Sequence, residues 1–245
     1  LVYWGIGAHL GTAVSQGGRG ELLGLVEDEG KALEKTKIRG SNTSRQLPFH
    51  GDRCDVVGLL CVRKARSGGI SRIVSAAAIH NEVLRRRPDL IEVFYADWYN
   101  SRQGDEQPGE ARAYPKPIFG FRDGYFTGMF SPAYIKFAQD YPEVPRLTPA
   151  QNEALDLYGD LSEELALNME FEPGDIQLLN NHLTYHARTR YDDFEEKEKK
   201  RLLLRLWLAV PGSRPLPPGY ELLFGSIEAG AVRGGVASKE GWRDV

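Results

Sequence analysis

The stretch LPFHGDRCDVVGLLCVR, residues 47–63, contains a His-x-Asp motif followed by a predicted strand. Residues 56–63 form a continuous apolar run of the length of a buried strand. Just before it, His50 and Asp52 lie two positions apart. On an extended strand such residues point to the same face. The imidazole and the carboxylate can therefore bind one cation, provided that another strand supplies a third ligand.

Two stretches in the C-terminal half offer the remaining groups. Residues 174–188, GDIQLLNNHLTYHAR, pass from a Gly-Asp turn through an apolar strand to an end that carries His182 and His186. Both histidines are candidates for the third ligand. Residues 201–208, RLLLRLWL, alternate as a strand does, with Arg201 and Arg205 on one face. A buried guanidinium requires an anion, and a carboxylate that accepts two hydrogen bonds fits it best.

The pattern elsewhere predicts strands at both ends of the chain and helices in the middle. Predicted strands cover residues 1–4, 22–26, 70–74, 176–179 and 201–210. Predicted helices cover 75–90, 132–141 and 148–167, the last opened by Thr148 and Pro149 as N-cap and first helical residue. Residues 28–47 and 95–117 are predicted loops. This order indicates a mainly β (α+β) double-stranded β-helix, or jelly roll, with helical insertions, in a single domain of residues 1–245.

Composition argues against several classes of partner. The formal net charge is −3, so no field of one sign points to nucleic acid or to an anionic membrane surface. No run of 18 apolar residues predicts a membrane span, and no signal peptide is apparent. Cys54 and Cys61 are expected to be buried free thiols, which indicates a reducing, cytoplasmic location. Whether the chain forms a homo-oligomer is left open.

Taken together, these motifs resemble the TauD/TfdA-like (taurine dioxygenase) family of Fe(II)/2-oxoglutarate-dependent oxygenases, which have a clavaminate synthase-like fold. The likeness runs from about residue 4 to residue 218, although the N-terminal portion of the family's fold is largely absent. Gly51 also stands where the family more often has Thr. The sharpest matches lie in residues 47–52, 67–71, 174–188 and 201–208.

The resemblance implies a role for each candidate residue. His50, Asp52 and His186 match the iron ligands, and His186 is favoured over His182 by its place before Ala187 and Arg188. Arg205 matches the arginine that binds the C5 carboxylate of 2-oxoglutarate and is favoured over Arg201. Ser71 stands where the family has a hydroxyl, usually Thr, that touches the same carboxylate.

The implied reaction is oxidation of an unactivated C–H bond of a small molecule by O2, with release of succinate and CO2. The carboxylate of Asp52 favours hydroxylation, desaturation or ring closure over halogenation. The sequence does not identify the substrate, but the aromatic stretch 95–130 is expected to line or cover its pocket. Two alternatives remain: a non-catalytic cupin-like module that binds metal or ligand, and a hydrolase or isomerase that uses Zn or Mn.

Overall fold

The computed structural model describes residues 1–29, 42–106 and 108–237. Part of the loop predicted over residues 28–47 therefore lies outside the described residues. The helices are α1 Val2–Leu10, α2 Ala76–Arg86, α3 Ile91–Tyr95, α4 Pro132–Ala138, α5 Pro149–Glu164 and α6 Glu221–Phe224. The strands are β1 Thr12–Ala13, β2 Leu23–Val26, β3 Leu47–His50, β4 Val56–Arg63, β5 Ser67–Gly68, β6 Ser71–Ser75, β7 Trp98–Ser101, β8 Ala113–Lys116, β9 Phe119–Arg122, β10 Tyr125–Gly128, β11 Leu167–Met169, β12 Ile176–Asn180, β13 Thr184–Arg188, β14 Tyr191–Asp192 and β15 Leu202–Ala209.

Two antiparallel sheets form the body of the molecule. The larger sheet has the order β1-β15-β4-β12, with β2 also paired to β15. The smaller sheet has the order β11-β6-β13-β3. Ile73 of the smaller sheet packs against a buried cluster that includes Val57, Leu179 and Trp207 of the larger one. Apolar side chains between the sheets therefore hold them face to face, and the candidate residues lie on these inner faces.

Strand β15 alternates between the two sides of the larger sheet, as the sequence predicts. Leu206 and Leu208 point to the outer side, where Tyr3 of α1 covers them. A Cβ atom at Gly7 would lie 2.7 Å from Cδ1 of Leu206, so the missing side chain lets α1 approach the strand closely. The strand predicted over residues 1–4 is therefore wrong. Its apolar residues form a helix because Tyr3 and Gly7, four apart, both face this sheet.

The helical insertion has its own core, which contacts the smaller sheet. Helices α2, α3 and α5 bury Ile79, Phe94 and Tyr158 in one apolar cluster with Tyr185 of β13. The predicted cap of α5 is confirmed: Oγ1 of Thr148 accepts a hydrogen bond from the Gln151 backbone, and the Gln151 side chain accepts one from the Thr148 backbone. Such a capping box contributes about 0.5–2 kcal/mol to helix stability.

The prediction of one long loop over residues 95–117 is wrong. Strands β7 and β8 pair antiparallel within it, with Tyr99 opposite Pro115, and only their connection is irregular. A proline inside β8 and the Gly-rich connection obscure the period of two that marks a strand. We call the described residues of this connection, 102–106 and 108–112, the hairpin loop. No helix among the described residues is both long and apolar enough to span a membrane.

Candidate metal centre

His50, Asp52 and His186 meet between the two sheets. His50 ends β3 and lies opposite His186 of β13 in the strand register, with ring centroids 4.3 Å apart. Nε2 of His50 lies 3.8 Å from one carboxylate oxygen of Asp52, and Nε2 of His186 lies 3.7 Å from the other. One ligand atom from each residue falls within 4.8 Å of the others. The three side chains that the sequence singled out can therefore bind one metal ion.

A backbone contact orients the ring of His50. Its Nδ1 lies 2.8 Å from the carbonyl oxygen of Pro48. A carbonyl oxygen only accepts, so Nδ1 carries a proton and donates it, and in the neutral ring the lone pair then lies on Nε2. Metal-binding histidines are commonly oriented in this way by a partner on the second ring nitrogen. Nε2 of His50 is thus available to a metal ion.

The protonation states of the buried ligands suit a divalent cation. Burial, together with the nearby His50, lowers the pKa of His186 to about 3 against the opposing effect of Asp52. Burial alone would raise the pKa of Asp52, but Arg205, His186 and His50 together bring it down to about 2. At neutral pH the centre therefore presents a neutral imidazole at His186 and a carboxylate at Asp52.

Side chains that sequence reasoning did not connect to the metal hold the Asp52 carboxylate. Trp207 donates from Nε1 to Oδ2 of Asp52 at 2.7 Å, and Nη1 of Arg205 lies 3.6 Å from the same oxygen. Arg205 also donates from Nε to Oε1 of Gln16 at 2.7 Å and lies over the Trp207 ring. Gln16 comes from a distant part of the chain, so only the folded structure reveals it. Arg205 therefore acts as a partner of the metal-binding carboxylate.

Asn181 binds the backbone turn that carries Asp52. Its side-chain oxygen accepts a hydrogen bond from the backbone N–H of Asp52 at 2.9 Å. Its amide nitrogen donates to the carbonyl oxygens of Asp52 and Cys54. The side chain is fully buried. These three bonds tie the turn after β3 to the end of β12 and fix where the carboxylate points.

We expect Asn181→Ala to weaken Fe(II) binding about 10- to 100-fold, which is the usual effect of losing a group that orients a metal ligand. The variant leaves one N–H and two carbonyl groups of the buried turn without their partner, so the melting temperature should also fall. Anaerobic titration with Fe(II) measures the affinity. Asn180→Ala is the control, because Asn180 is exposed and its side chain accepts a hydrogen bond from the backbone N–H of His182, outside the metal centre. Equal Fe(II) affinities in the two variants would contradict the role of Asn181.

His182, the other candidate for the third ligand, belongs to a different cluster. Its Nε2 lies 2.7 Å from Oδ1 of Asp55, and Nε of Arg233 donates to the same oxygen at 2.9 Å. Asp55 Oδ2 accepts a hydrogen bond from the backbone of Val210. This buried cluster, which we call the Asp55 cluster, fastens the C-terminal segment to the turn after β3. His182 is not among the residues that can share a metal ion with Asp52.

An inner cavity of about 30 Å³ adjoins His186 and contains Ser71 and Arg201 in its lining. Arg201 is only 4% exposed, and its guanidinium lies over the ring of Tyr191. Burial lowers the pKa of Arg201. Its Nη1 has no hydrogen-bond partner in the part of the chain that the structure describes. Oγ of Ser71 has two long contacts with the Gln177 side chain, 3.5 Å to Oε1 and 3.3 Å to Nε2. The inner cavity therefore offers a buried cation and a hydroxyl to an anion.

A glycine turn leads the chain to Ser71. Gly68 and Gly69 have φ angles of 72° and 71°, in the left-handed region that favours glycine. A Cβ at Gly68 would collide with the carbonyl oxygen of Arg190, and one at Gly69 would lie 3.2 Å from Nε of Arg201. The two glycines thus let the turn pass close to the strand that follows β13 and bring β6 beside Arg201.

An outer cavity of about 210 Å³ lies on the other side of the metal centre. His50, Asp52 and Trp207 form one wall, and Gln103 and Asp105 of the hairpin loop form another. Helix α4 contributes Tyr134 and Phe137, and Leu47 and Arg205 line both cavities. The expectation that the aromatic residues of 95–130 line the pocket is wrong: none of them lines the outer cavity, and Trp98, Tyr114 and Phe119 pack in apolar cores.

Comparison with known proteins gives one family. The family model described as taurine catabolism dioxygenase TauD, TfdA family matches residues 2–207. FR-33289 synthase of Streptomyces rubellomurinus is 37% identical over 223 residues, which cover 86% of this chain and 64% of that protein. The taurine hydroxylase-like protein SAT17 of Stachybotrys chartarum is 30% identical, with 86% of this chain and 59% of that protein covered. The chain thus spans less than two thirds of the length of these relatives.

Solved structures agree on the fold. An asparagine oxygenase in complex with Fe(II), 2S,3S-3-hydroxyasparagine and succinate superposes with a TM-score of 0.67 at 18% identity, over 84% of this chain and 63% of that one. The non-heme iron oxygenase OrfP in complex with Fe and alpha-ketoglutaric acid superposes with a TM-score of 0.59 at 15% identity, over 83% and 62%. These likenesses confirm the predicted double-stranded β-helix.

Proposed function

Since the chain belongs to the taurine catabolism dioxygenase TauD, TfdA family, we propose that it is an Fe(II)- and 2-oxoglutarate-dependent oxygenase that oxidises an unactivated C–H bond of a small molecule. The observation that carries this proposal is the convergence of His50, Asp52 and His186 within 4.8 Å, beside a cavity large enough for a small metabolite. Two histidines and one carboxylate on one side of a metal ion are the ligand set of non-haem Fe(II) oxygenases.

The residues fit Fe(II) by their chemistry. Two imidazole nitrogens and one carboxylate oxygen suit a first-row divalent metal, and they leave positions open on the side of the cavities. When bound there, Fe(II) together with 2-oxoglutarate and O2 supplies the oxidising power for the C–H bond, with succinate and CO2 as co-products. The protein holds Asp52 ionised through Arg205 and fixes its second oxygen through Trp207.

We propose Arg201, with Ser71, as the group that binds the distal carboxylate of 2-oxoglutarate. The sequence favoured Arg205, but the contacts of the two arginines differ. Arg205 already donates to Gln16 and lies beside Asp52. Arg201 keeps an unused donor in the inner cavity next to Ser71 and His186. A buried guanidinium with a free N–H matches a carboxylate, and the inner cavity suits the end of the co-substrate that is remote from the metal.

The organic substrate would occupy the outer cavity, where Trp207 and helix α4 limit access of water. Two of the solved structures that share this fold contain hydroxylated amino acids, 2S,3S-3-hydroxyasparagine in the asparagine oxygenase and (3S)-hydroxy-L-Arg in OrfP. A small polar metabolite of that size is the substrate class we propose. Cys54 and Cys61 are both buried and free, as expected, and this supports a reducing, cytoplasmic location.

The cupin-like binding module is the less favoured function. Such a module could retain the fold and a metal site, but it would not require Arg201 as a second, buried anion receptor beside the metal ligands. A Zn or Mn hydrolase would not require it either. Neither alternative consumes 2-oxoglutarate, and this difference separates them from an oxygenase by experiment.

We expect the anaerobic protein with one equivalent of Fe(II) to develop a weak visible charge-transfer band when 2-oxoglutarate is added. Admission of O2 should then convert 2-oxoglutarate to succinate, measured by chromatography. Asp52→Ala is the control and should give neither the band nor succinate above background. A wild-type protein that binds Fe(II) but shows no band and forms no succinate would rule out the oxygenase function.

A further inference from the structure

Arg53, the residue after the metal ligand Asp52, has a guanidinium with unused hydrogen-bonding capacity. Its side chain is 12% exposed and lines the outer cavity. Within residues 1–29, 42–106 and 108–237, it forms one ion pair and donates no hydrogen bond. A guanidinium has five N–H groups in a fixed planar arrangement. A sequestered arginine whose donors face a cavity is ready to bind an anion that enters the cavity.

The one ion pair of Arg53 joins two residues that line the outer cavity. Nη2 of Arg53 lies 3.6 Å from Oδ2 of Asp105, whose side chain is 19% exposed. That distance is beyond hydrogen-bond range, so the attraction is Coulombic only. Asp105 belongs to the hairpin loop, and Gln103 in the same loop has a φ angle of 51°. A residue other than glycine rarely adopts this conformation, and such residues cluster at ligand sites.

The other charged residues of the outer cavity are committed elsewhere or exposed. Its lining contains three arginines and two aspartates. Arg205 is bound to Gln16 and lies next to the metal-binding Asp52. Arg45 is exposed at the entrance. Among the described residues that line this cavity, Arg53 is therefore the sequestered arginine that donates no side-chain hydrogen bond, and it follows Asp52 directly in the sequence.

We propose that Arg53 is the receptor for an oxyanion of the organic substrate, and that Asp105 is the counter-ion that occupies it at rest. This inference rests on the proposed function and specifies what its substrate carries: a carboxylate, a sulfonate or a phosphonate. Each of these groups accepts two hydrogen bonds from one guanidinium. Binding would draw Arg53 from Asp105 and place the anionic end of the substrate beside the metal, with the bond to be oxidised further along the molecule.

The proposal predicts opposite effects for the two members of the pair. If Arg53 binds the anion, Arg53→Gln removes the receptor and weakens binding. Asp105→Asn removes a competitor for the same guanidinium and strengthens binding. A purely structural ion pair would behave differently, because loss of either partner would loosen the hairpin loop and weaken binding in both variants.

The test is calorimetric titration of the anaerobic Fe(II)–2-oxoglutarate complex and of the metal-free protein. The probes are acetate, methanesulfonate and methylphosphonate, with neutral acetamide as the uncharged counterpart of acetate. We expect Arg53→Gln to weaken binding of the preferred oxyanion roughly ten- to a hundredfold, the effect of losing a charge-assisted hydrogen bond. Asp105→Asn should tighten it, and acetamide should not bind. Arg112→Gln is the matched control, since Arg112 pairs with Glu143 on the exposed side of the same loop.

Several results would overturn the proposal. These are unchanged oxyanion binding in Arg53→Gln, weakened binding in both Arg53→Gln and Asp105→Asn, a defect in Arg45→Gln instead, or no binding of any oxyanion to the wild-type protein. Melting temperatures of all variants separate loss of fold from loss of binding. The charge-transfer band of the wild-type protein tests the oxygenase function separately, and the metal-free titration tests Arg53 even if that band does not appear.

Discussion

His186→Ala is expected to reduce Fe(II) affinity by at least about a hundredfold and to abolish turnover. Structural zinc sites with four protein ligands have binding free energies of about 10–16 kcal/mol, so one ligand contributes on the order of 3 kcal/mol. The His186 ring lies within the centre, with its Nε2 near Asp52 and its ring beside that of His50, so its removal takes away one ligand directly. The measurement is anaerobic Fe(II) titration, followed by succinate formation in the presence of 2-oxoglutarate and O2.

His182→Ala is the matched control for that experiment. His182 is 2% exposed, lies four residues away on the same segment and binds Asp55, outside the metal centre. Its removal should lower the melting temperature, because a buried carboxylate loses a partner at a cost of about 1–3 kcal/mol. Fe(II) affinity should remain within a few-fold of the wild-type value. If His182→Ala lost the metal and His186→Ala kept it, the assignment of the third ligand would be wrong.

Arg201→Lys is expected to raise the half-saturating concentration of 2-oxoglutarate about ten- to a hundredfold, while Fe(II) affinity stays close to the wild-type value. Lysine retains the positive charge but lacks the planar pair of donors that matches a carboxylate. Loss of one charge-assisted hydrogen bond costs about 1.5–3 kcal/mol. Because Arg201 does not contact the metal ligands, the defect should be confined to the co-substrate. Succinate formation against 2-oxoglutarate concentration gives the first quantity, and anaerobic Fe(II) titration gives the second.

Arg205→Lys should instead reduce Fe(II) affinity more than it raises the half-saturating concentration of 2-oxoglutarate. Arg205 lowers the pKa of Asp52 and lies 3.6 Å from its Oδ2, so its replacement should first weaken the metal centre. The bond to Gln16 that holds it in place would also be lost. A large co-substrate defect in Arg205→Lys, with none in Arg201→Lys, would show that Arg205 binds 2-oxoglutarate and that Arg201 has a structural role.

The sequence alone was enough to identify the candidate metal ligands, because the patterns that mark them are local. His50 and Asp52 are two residues apart, and His186 lies at the end of an apolar strand that starts at a Gly-Asp turn. The sequence alone could not decide whether Arg201 or Arg205 binds 2-oxoglutarate. The two arginines are four residues apart, so on a strand both side chains lie on the same, inward face, and the sequence pattern indicates nothing more. What separates them is Gln16 and Asp52 beside Arg205, and Tyr191 beside Arg201, and those neighbours come from other strands and loops.

Long-range contacts explain the remaining differences. The apolar run at residues 1–4 fits a strand as well as a helix, and only packing on Leu206 decides between them. The hydrogen bonds of Asn181 to the turn at Asp52 join residues more than a hundred positions apart. The pairing of β7 with β8 is evident only in the folded structure, where Tyr99 lies opposite Pro115. In each case the deciding neighbour is distant in sequence.

The hairpin loop has a consequence for how this fold can diversify. Its described residues, 102–106 and 108–112, supply Gln103 and Asp105 to the outer cavity, but no candidate metal ligand and no lining residue of the inner cavity. Insertions and substitutions between β7 and β8 can therefore change which molecules the outer cavity accepts while His50, Asp52 and His186 stay unchanged. The loop can therefore change, in evolution or by protein engineering, to give new substrate selectivity without any change in the residues of the proposed iron site.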